Sequence, residues 1–233
     1  MKKKLDGARF RWINEMLYKS DSQKTVEMMH EDPTMFQEYH VGFRQQVQSW
    51  PSNPAGEYIG QLKACPRGTV IADLGCGDAA LARALVAQGL NVLSYDLVPD
   101  GVYVIEADIC AAIPLPGSEP NEGTGEGHIV DVAVCALSLM GSNWPKCIRE
   151  AWRILKPTGQ LKIAEVSSRF ENVDQFVSLI SSIGFKFKSK NESNTHFTTF
   201  EFQKIARKGK AEQDWDKIMS KGKILKPCEY KRR

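Results

Sequence analysis

Thr69-Val70-Ile71-Ala72-Asp73-Leu74-Gly75-Cys76-Gly77-Asp78 decides the fold. A short apolar, partly β-branched run turns over two glycines into the helix-like segment Ala79 to Ala87. Neither Gly75 nor Gly77 carries a Cβ, so the backbone N–H groups of such a turn can approach a ligand closely. The turn suits a nucleotide-like cofactor, and the acids around it select which one.

Gly75, Gly77 and Ala80 satisfy the dinucleotide pattern G-x-G-x-x-G/A, and Asp96 closes a second strand read at Asn91-Val92-Leu93-Ser94-Tyr95. That match alone leaves NAD open. Two further acids favour S-adenosylmethionine. Asp73 ends the first strand beside the glycines, where a carboxylate would crowd a pyrophosphate but can sit near a cationic sulfonium ligand. Asp108 closes a third strand, Val102 to Ala107, where it could accept from an adenine amino group. A phosphate loop of the Walker type is excluded, because no Gly-Lys-Ser/Thr follows the glycines.

Outward from this turn the pattern alternates strand and helix, which predicts right-handed βαβ units in a parallel sheet. Ile129 to Leu137 reads as a fully buried central strand. Pro145 to Leu155 reads as a helix, Lys156-Pro157-Thr158-Gly159 as a turn, and Gln160 to Val166 as the next strand. A helix over about Val173 to Ile183 ends at Gly184, a C-terminal cap. Phe185 to Lys190 and His196 to Gln203 alternate with period two, as a closing antiparallel hairpin with one solvated face. The expected fold is α/β: a Rossmann-like class I methyltransferase with a seven-stranded, mostly parallel sheet, an antiparallel C-terminal hairpin and an N-terminal helical appendage. Residues 1–64 form that appendage, 65–206 the methyltransferase domain, and 207–233 a basic tail packing on it.

Within the appendage, Phe10 to Tyr18 shows apolar positions at helical spacing, Asp21 or Ser22 caps a second helix, and Asp32-Pro33 starts a third. The third places Phe36, His40, Phe43 and Val47 on one face, and Trp50-Pro51-Ser52-Asn53-Pro54 breaks it. The breaker-rich segment Gly117 to Gly127 reads as a surface insertion.

The chain has 233 residues, 42% of them hydrophobic, enough to bury a full core. No run approaches a membrane span or a secretory segment. The six cysteines show no C-x-x-C pair and no histidine at zinc spacing, so no metal is expected and the thiols read as reduced. The net charge of +3 hides basic ends on an acidic body, a pattern suited to a polyanion. Solvated, frayed termini are the plainer alternative.

Several segments together resemble one family. They are Gly7-Ala8-Arg9-Phe10-Arg11-Trp12-Ile13-Asn14-Glu15-Met16-Leu17-Tyr18, Tyr39-His40-Val41-Gly42-Phe43-Arg44-Gln45-Gln46-Val47, Ala72 to Asp78, and Leu137-Ser138-Leu139-Met140-Gly141. Ala164 to Phe170, Ser193-Asn194-Thr195-His196-Phe197 and Pro227 to Arg233 complete the set. In these segments the chain is similar to the nucleomethylin, or ribosomal RNA-processing protein 8, methyltransferases of the nucleolus. The resemblance implies methylation of N1 of an adenine in large-subunit (25S/28S) ribosomal RNA, in ribosome biogenesis, with S-adenosylhomocysteine as product. For animal members it also implies a non-catalytic alternative, reading methylated histone H3 in silencing of ribosomal DNA. The fold by itself leaves a small-molecule or protein methyltransferase open.

From the resemblance, Gly75 and Gly77 shape the turn at the methionine end, Asp96 accepts from the ribose hydroxyls, and Asp108 accepts from the adenine N6 amine. Ile109 offers its N–H to the adenine edge, and Ala136 contacts the cofactor at the carboxyl end of the central strand. His40, which by its helical face alone reads as a core histidine, becomes a cofactor contact. Ser138, Leu139 and Met140 stand where methyltransferases receive substrate. No Asp/Asn-Pro-Pro-Tyr/Phe follows the fourth strand, which disfavours exocyclic N6 methylation, and no catalytic base is assigned.

Overall fold

A computed structural model describes residues 2–117, 128–205 and 212–230. Its strands are β1 (Val70–Leu74), β2 (Asn91–Asp96), β3 (Val104–Glu106), β4 (Val130–Ala136), β5 (Leu155–Val166), β6 (Phe185–Asn191) and β7 (Phe197–Lys204). They form one sheet in the order β3-β2-β1-β4-β5-β7-β6. The pairs from β3 through β5 are parallel, and β7 runs antiparallel to both β5 and β6. The expected class I sheet with its closing hairpin is present.

Eight helices accompany it among the described residues: α1 (Lys2–Lys19), α2 (Ser22–Glu31), α3 (Thr34–Val47), α4 (Pro54–Leu62), α5 (Ala80–Leu85), α6 (Pro145–Ile154), α7 (Val173–Ile183) and α8 (Glu212–Met219). Their ends follow local capping chemistry. Asp21 Oδ1 accepts from Lys24 N at 2.9 Å to open α2, and Asn172 Oδ1 accepts from Gln175 N at 3.0 Å to open α7. Asp32 accepts from the Thr34 amide and hydroxyl, but α3 opens one residue later than expected: Pro33 is its N-cap, Thr34 its first residue, and Asp32 closes α2. Gly184 closes α7 at φ 126, a backbone region that favours glycine.

Four local expectations are corrected. The segment 79–87 is a shorter helix, α5, that tightens into a 3-10 turn at Val86–Gln88. The third strand is only three residues long. Lys156 to Gly159 is a bulge inside β5: the pairing with β4 jumps from Val130↔Leu155 to Val132↔Gln160. A Cβ on Gly159 would lie 2.9 Å from Lys156 O, so the bulge admits only glycine there. The breaker at 50–54 also starts α4, where Asn53 Oδ1 accepts from Ala55 N and Pro54 takes the first helical position.

The hairpin departs from its expected solvated face. β7 is buried along most of its length, because β5 and β6 flank it, while β6 is exposed beyond Phe185. The lysines of β6 therefore line the sheet's edge, where charge discourages edge-to-edge pairing.

The main core lies on the sheet face covered by α6 and α7, with Trp144, Ile148, Phe176, Ile180 and Phe200 fully buried. On the other face Tyr58 and Leu62 of α4 pack with Ile71, Leu81 and Leu85. A separate cluster (Phe10, Ile13, Leu17, Met29, Met35, Tyr39) unites α1 to α3. The C-terminal segment crosses to it: Asn14 Nδ2 donates to Cys228 O at 2.7 Å, and the Phe10 and Tyr230 rings lie 5.1 Å apart. The basic residues at 206–211 and 231–233, and the insertion at 118–127, lie outside the described residues.

Candidate cofactor cleft

The carboxyl ends of β1, β2, β3 and β4 open into a cavity of about 590 Å³, roofed by α2, α3 and the start of α4. This is where open parallel sheets bind ligands. All seven residues predicted from sequence line it: His40, Gly75, Gly77, Asp96, Asp108, Ile109 and Ala136.

The glycine turn is set by three contacts. The Gly75 and Cys76 amides both donate to Tyr95 O, at 2.9 and 3.0 Å, and the Gly77 amide donates to Asp96 Oδ2 at 2.7 Å. Gly75 has φ +76, and a Cβ on it would sit 2.4 Å from Ser138 Cβ. The turn and the loop after β4 are thus in contact through the absence of one methyl group. Ala79 and Leu137 also adopt positive φ, at 52 and 62. For a residue as bulky as leucine that is strained backbone, held at the mouth of the cleft.

Two buried carboxylates, Asp73 and Asp96, lie close enough to act on each other, and hydrogen bonds compensate Asp96 more than Asp73. Asp73 is 2% exposed, and its Oδ2 has no hydrogen-bond partner within the described structure. Burial, with Asp96 nearby, pushes its pKa up to about 7. Burial also raises Asp96, opposed by His40 and by the Gly77 and Leu97 amides. Such a pair calls for a cation from outside the protein. The donor set suits S-adenosylmethionine: glycine backbone amides, an unpaired buried carboxylate for a positively charged ligand, and a second carboxylate closing β2.

Asp108 is held from two sides. Its Oδ1 accepts from Cys110 N at 2.8 Å and its Oδ2 from Ser22 Oγ at 2.6 Å. It therefore caps its own turn and ties the roof to the sheet, while still lining the cavity. Asn143 completes the tie, accepting from Ser22 N at 3.0 Å and donating to Ser22 Oγ at 2.9 Å. The ring of His40 lies over the glycine turn, with Nε2 3.2 Å from the position of a Gly77 Cβ. Its Nδ1 is 2.9 Å from Phe36 O. A carbonyl only accepts, so Nδ1 carries the proton and Nε2 presents a lone pair to the turn when the ring is neutral.

Sequence reasoning missed three features of this site. Arg44 clasps both oxygens of Asp78, at 2.8 and 2.7 Å, joining α3 to the glycine turn. Trp50 and Ser52 line the far end of the cavity. Glu165 and Arg169 form an ion pair at 2.7 Å with neither side chain more than 1% exposed. Glu165 Oε1 accepts from Leu139 N, and Arg169 Nε donates to Lys226 O. This pair thus braces the loop after β4 from behind. The Glu-x-x-x-Arg spacing in 165–169 was the one available signal.

The sheet and cleft define a class I S-adenosylmethionine-dependent methyltransferase. The chain belongs to the family described as "Hypothetical methyltransferase", which matches residues 1–233. It is 42% identical, over its whole length, to the 25S rRNA (adenine(645)-N(1))-methyltransferase of Schizosaccharomyces pombe, and spans 71% of that protein. It is 40% identical to Ribosomal RNA-processing protein 8 of Dictyostelium discoideum, spanning 59% of it. In fold it is similar to a TehB-like SAM-dependent methyltransferase from Corynebacterium glutamicum, at TM-score 0.56 and 18% identity over 74% of this chain and 100% of that one.

Proposed function

We propose that this chain methylates N1 of an unpaired adenine in large-subunit ribosomal RNA, as a nucleolar step of ribosome biogenesis. The similarity along its full length to a protein named for that reaction carries the reading. The cleft supports it, because every predicted cofactor residue lines one cavity.

When bound, S-adenosylmethionine supplies an electrophilic methyl group on a sulfonium. Neutral adenine N1 already has a lone pair, so no side chain need remove a proton before transfer. The protein's task is to orient: to hold N1 in line with the methyl group at near-attack distance. N1 lies on the Watson–Crick edge, so the target must be unpaired or flipped out. In this reading Gly75, Gly77 and Asp96 fix the donor, His40 closes over it, and the Leu137–Ser138 loop separates donor from acceptor. The product base is cationic, and the carboxylate-rich cleft favours the charge that develops on it.

Phosphate contacts belong to the basic ends, with adjustments. Arg9 is engaged by Glu38 and Asp32. Lys204 is buried, donating to Leu155 O at 2.6 Å over the Trp152 ring, and burial lowers its pKa to about 8. The exposed Lys217, Lys221 and Lys223 are the better phosphate ligands. The histone-reading alternative rests on no residue of the cleft.

Labelled S-adenosylmethionine and unmodified large-subunit RNA test the reading, with reverse-transcriptase stops mapping the product, since a methyl on N1 blocks base pairing. One adenine stop, absent with Asp96→Ala, is expected. Cofactor binding without any RNA labelling would overturn it.

A further inference from the structure

The cleft has a second end that the cofactor residues leave unused. Along the carboxyl edge of the sheet, Asp108 follows β3, Asp96 closes β2, Gly75 follows β1 and Ser138 follows β4. Beyond them, past β5, comes the start of β7, and there the Trp50 indole reaches over from the chain just after α3. Its ring centroid is 5.3 Å from that of His196 and 6.1 Å from that of Phe197, inclined by 33° and 26°. Trp50 also lines the same cavity, together with Phe43, Val47, Ser52 and Pro54.

The shelf beneath Trp50 is built with care. Asn194 Nδ2 donates to Ser52 Oγ at 2.9 Å, and Asn194 Oδ1 accepts from His196 N at 2.8 Å. The Ser167 amide donates to His196 O at 2.9 Å. His196 Nδ1 lies 3.1 Å from the Thr195 hydroxyl, which orients its ring. The segment Ser193-Asn194-Thr195-His196-Phe197 does not itself line the cavity, yet every one of these contacts fixes the tryptophan or its neighbours. Between this shelf and the glycine turn stands Ser138, whose buried Oγ has no partner within the described structure.

We propose that Trp50, shelved on His196 and Phe197, is the stacking platform for the target adenine, with the Ser138 hydroxyl facing the base edge between platform and donor. A flipped-out purine needs an aromatic face and a few polar atoms at its rim, and this end of the cavity offers both. The proposal rests on the RNA-methylation reading and names the part of the cleft that takes the base.

A thermodynamic cycle tests it on the full chain. An RNA fragment bearing the target adenine is compared with the same fragment abasic at that position, on wild type, Trp50→Ala and Trp50→Phe. Trp50→Ala should lower kcat/KM for the adenine fragment about 10- to 100-fold, and Trp50→Phe should recover most of it. Calorimetric affinity for S-adenosylhomocysteine should be unchanged. The abasic change should weaken binding to wild type clearly more than binding to Trp50→Ala, where only the Ser138 contact remains to be lost. Additive losses, or a Trp50→Ala variant that also loses S-adenosylhomocysteine, would overturn the platform. A wild-type protein that labels no RNA overturns the parent reading instead, so the two failures are distinct.

Discussion

The two ends of the cleft are made in different ways. From β3 to β1 the glycine turn and the acids are held largely by near neighbours, as with Gly77 N to Asp96 and Cys110 N to Asp108, and two longer ties, Ser22 to Asp108 and Arg44 to Asp78, fasten the helical roof to them. From β4 to β7 the site is assembled from distant pieces. Ser52 meets Asn194, Ser20 O accepts from Ser142 N, Arg169 reaches Lys226, and Asn14 reaches Cys228. The donor end thus rests mainly on contacts among β1, β2, β3 and the turns after them, whereas the Trp50 end depends on the docked N-terminal helices and C-terminal segment. In the reading proposed above, the donor lies in the half held by near neighbours and the target base in the half built from long-range contacts.

The sharpest break in this comparison comes at Gly75. Gly75→Val adds bulk where even a Cβ stands 2.4 Å from Ser138 Cβ, at a φ of +76 that branched residues avoid. Cofactor binding should fall below calorimetric detection and methyl transfer should reach background. An affinity within about threefold of wild type would show that the turn and the β4 loop need not touch.

The next test falls on the assembled half. Arg169→Met leaves Glu165 charged and buried without its partner, a change that costs about 3–5 kcal/mol in such pairs. Urea denaturation should report that loss, and the Leu139 amide should exchange faster. A loss under about 1 kcal/mol would mean that the C-terminal segment docks without the pair.

A smaller and pH-dependent effect is expected at Asp73. Its folded pKa, about 7, is raised from 3.8 by burial and by Asp96, so the folded state holds a proton that the unfolded state releases. Stability therefore falls as pH rises from about 4 to about 7, and stays lower above that window. Asp73→Asn should remove this dependence and stabilise the cofactor-free protein at pH 8 by on the order of 1–3 kcal/mol. It should also weaken S-adenosylmethionine binding, because the cation loses its carboxylate. Thermal melts across pH check the first part and calorimetry the second. A variant that is more stable and binds as well would remove Asp73 from the site.

These two halves were not equally legible in the sequence. Gly75, Gly77, Asp96 and Asp108 could be placed because a strand end, a turn and a spacing fix them within their own βα units. The bulge at 156–159 and the buried faces of β7 could not, because both depend on which strands flank them in the sheet. Trp50 read only as part of a helix breaker, since its partner His196 is far along the chain and no periodicity links them. Lys204 and Arg9 belong to the basic ends of the sequence, and only packing shows their engagement with Leu155 O and with Glu38 and Asp32.

That last difference gives the mildest test, on how RNA is held. Exposed lysines that neutralise phosphates release counterions, and each contact contributes a slope of about 0.7–0.9 in log affinity against log salt. Replacing Lys217, Lys221 and Lys223 with alanine should flatten the salt dependence by up to about 2–3, uniformly across RNA sequences. Arg9→Ala should leave the slope unchanged, because its guanidinium already faces two carboxylates, and should cost under about 1 kcal/mol of stability as an exposed ion pair. Filter binding between low and physiological salt separates the two variants. If Arg9→Ala flattens the slope while the triple variant does not, the RNA runs over the surface of α1 to α3 rather than over α8 and the turn after it.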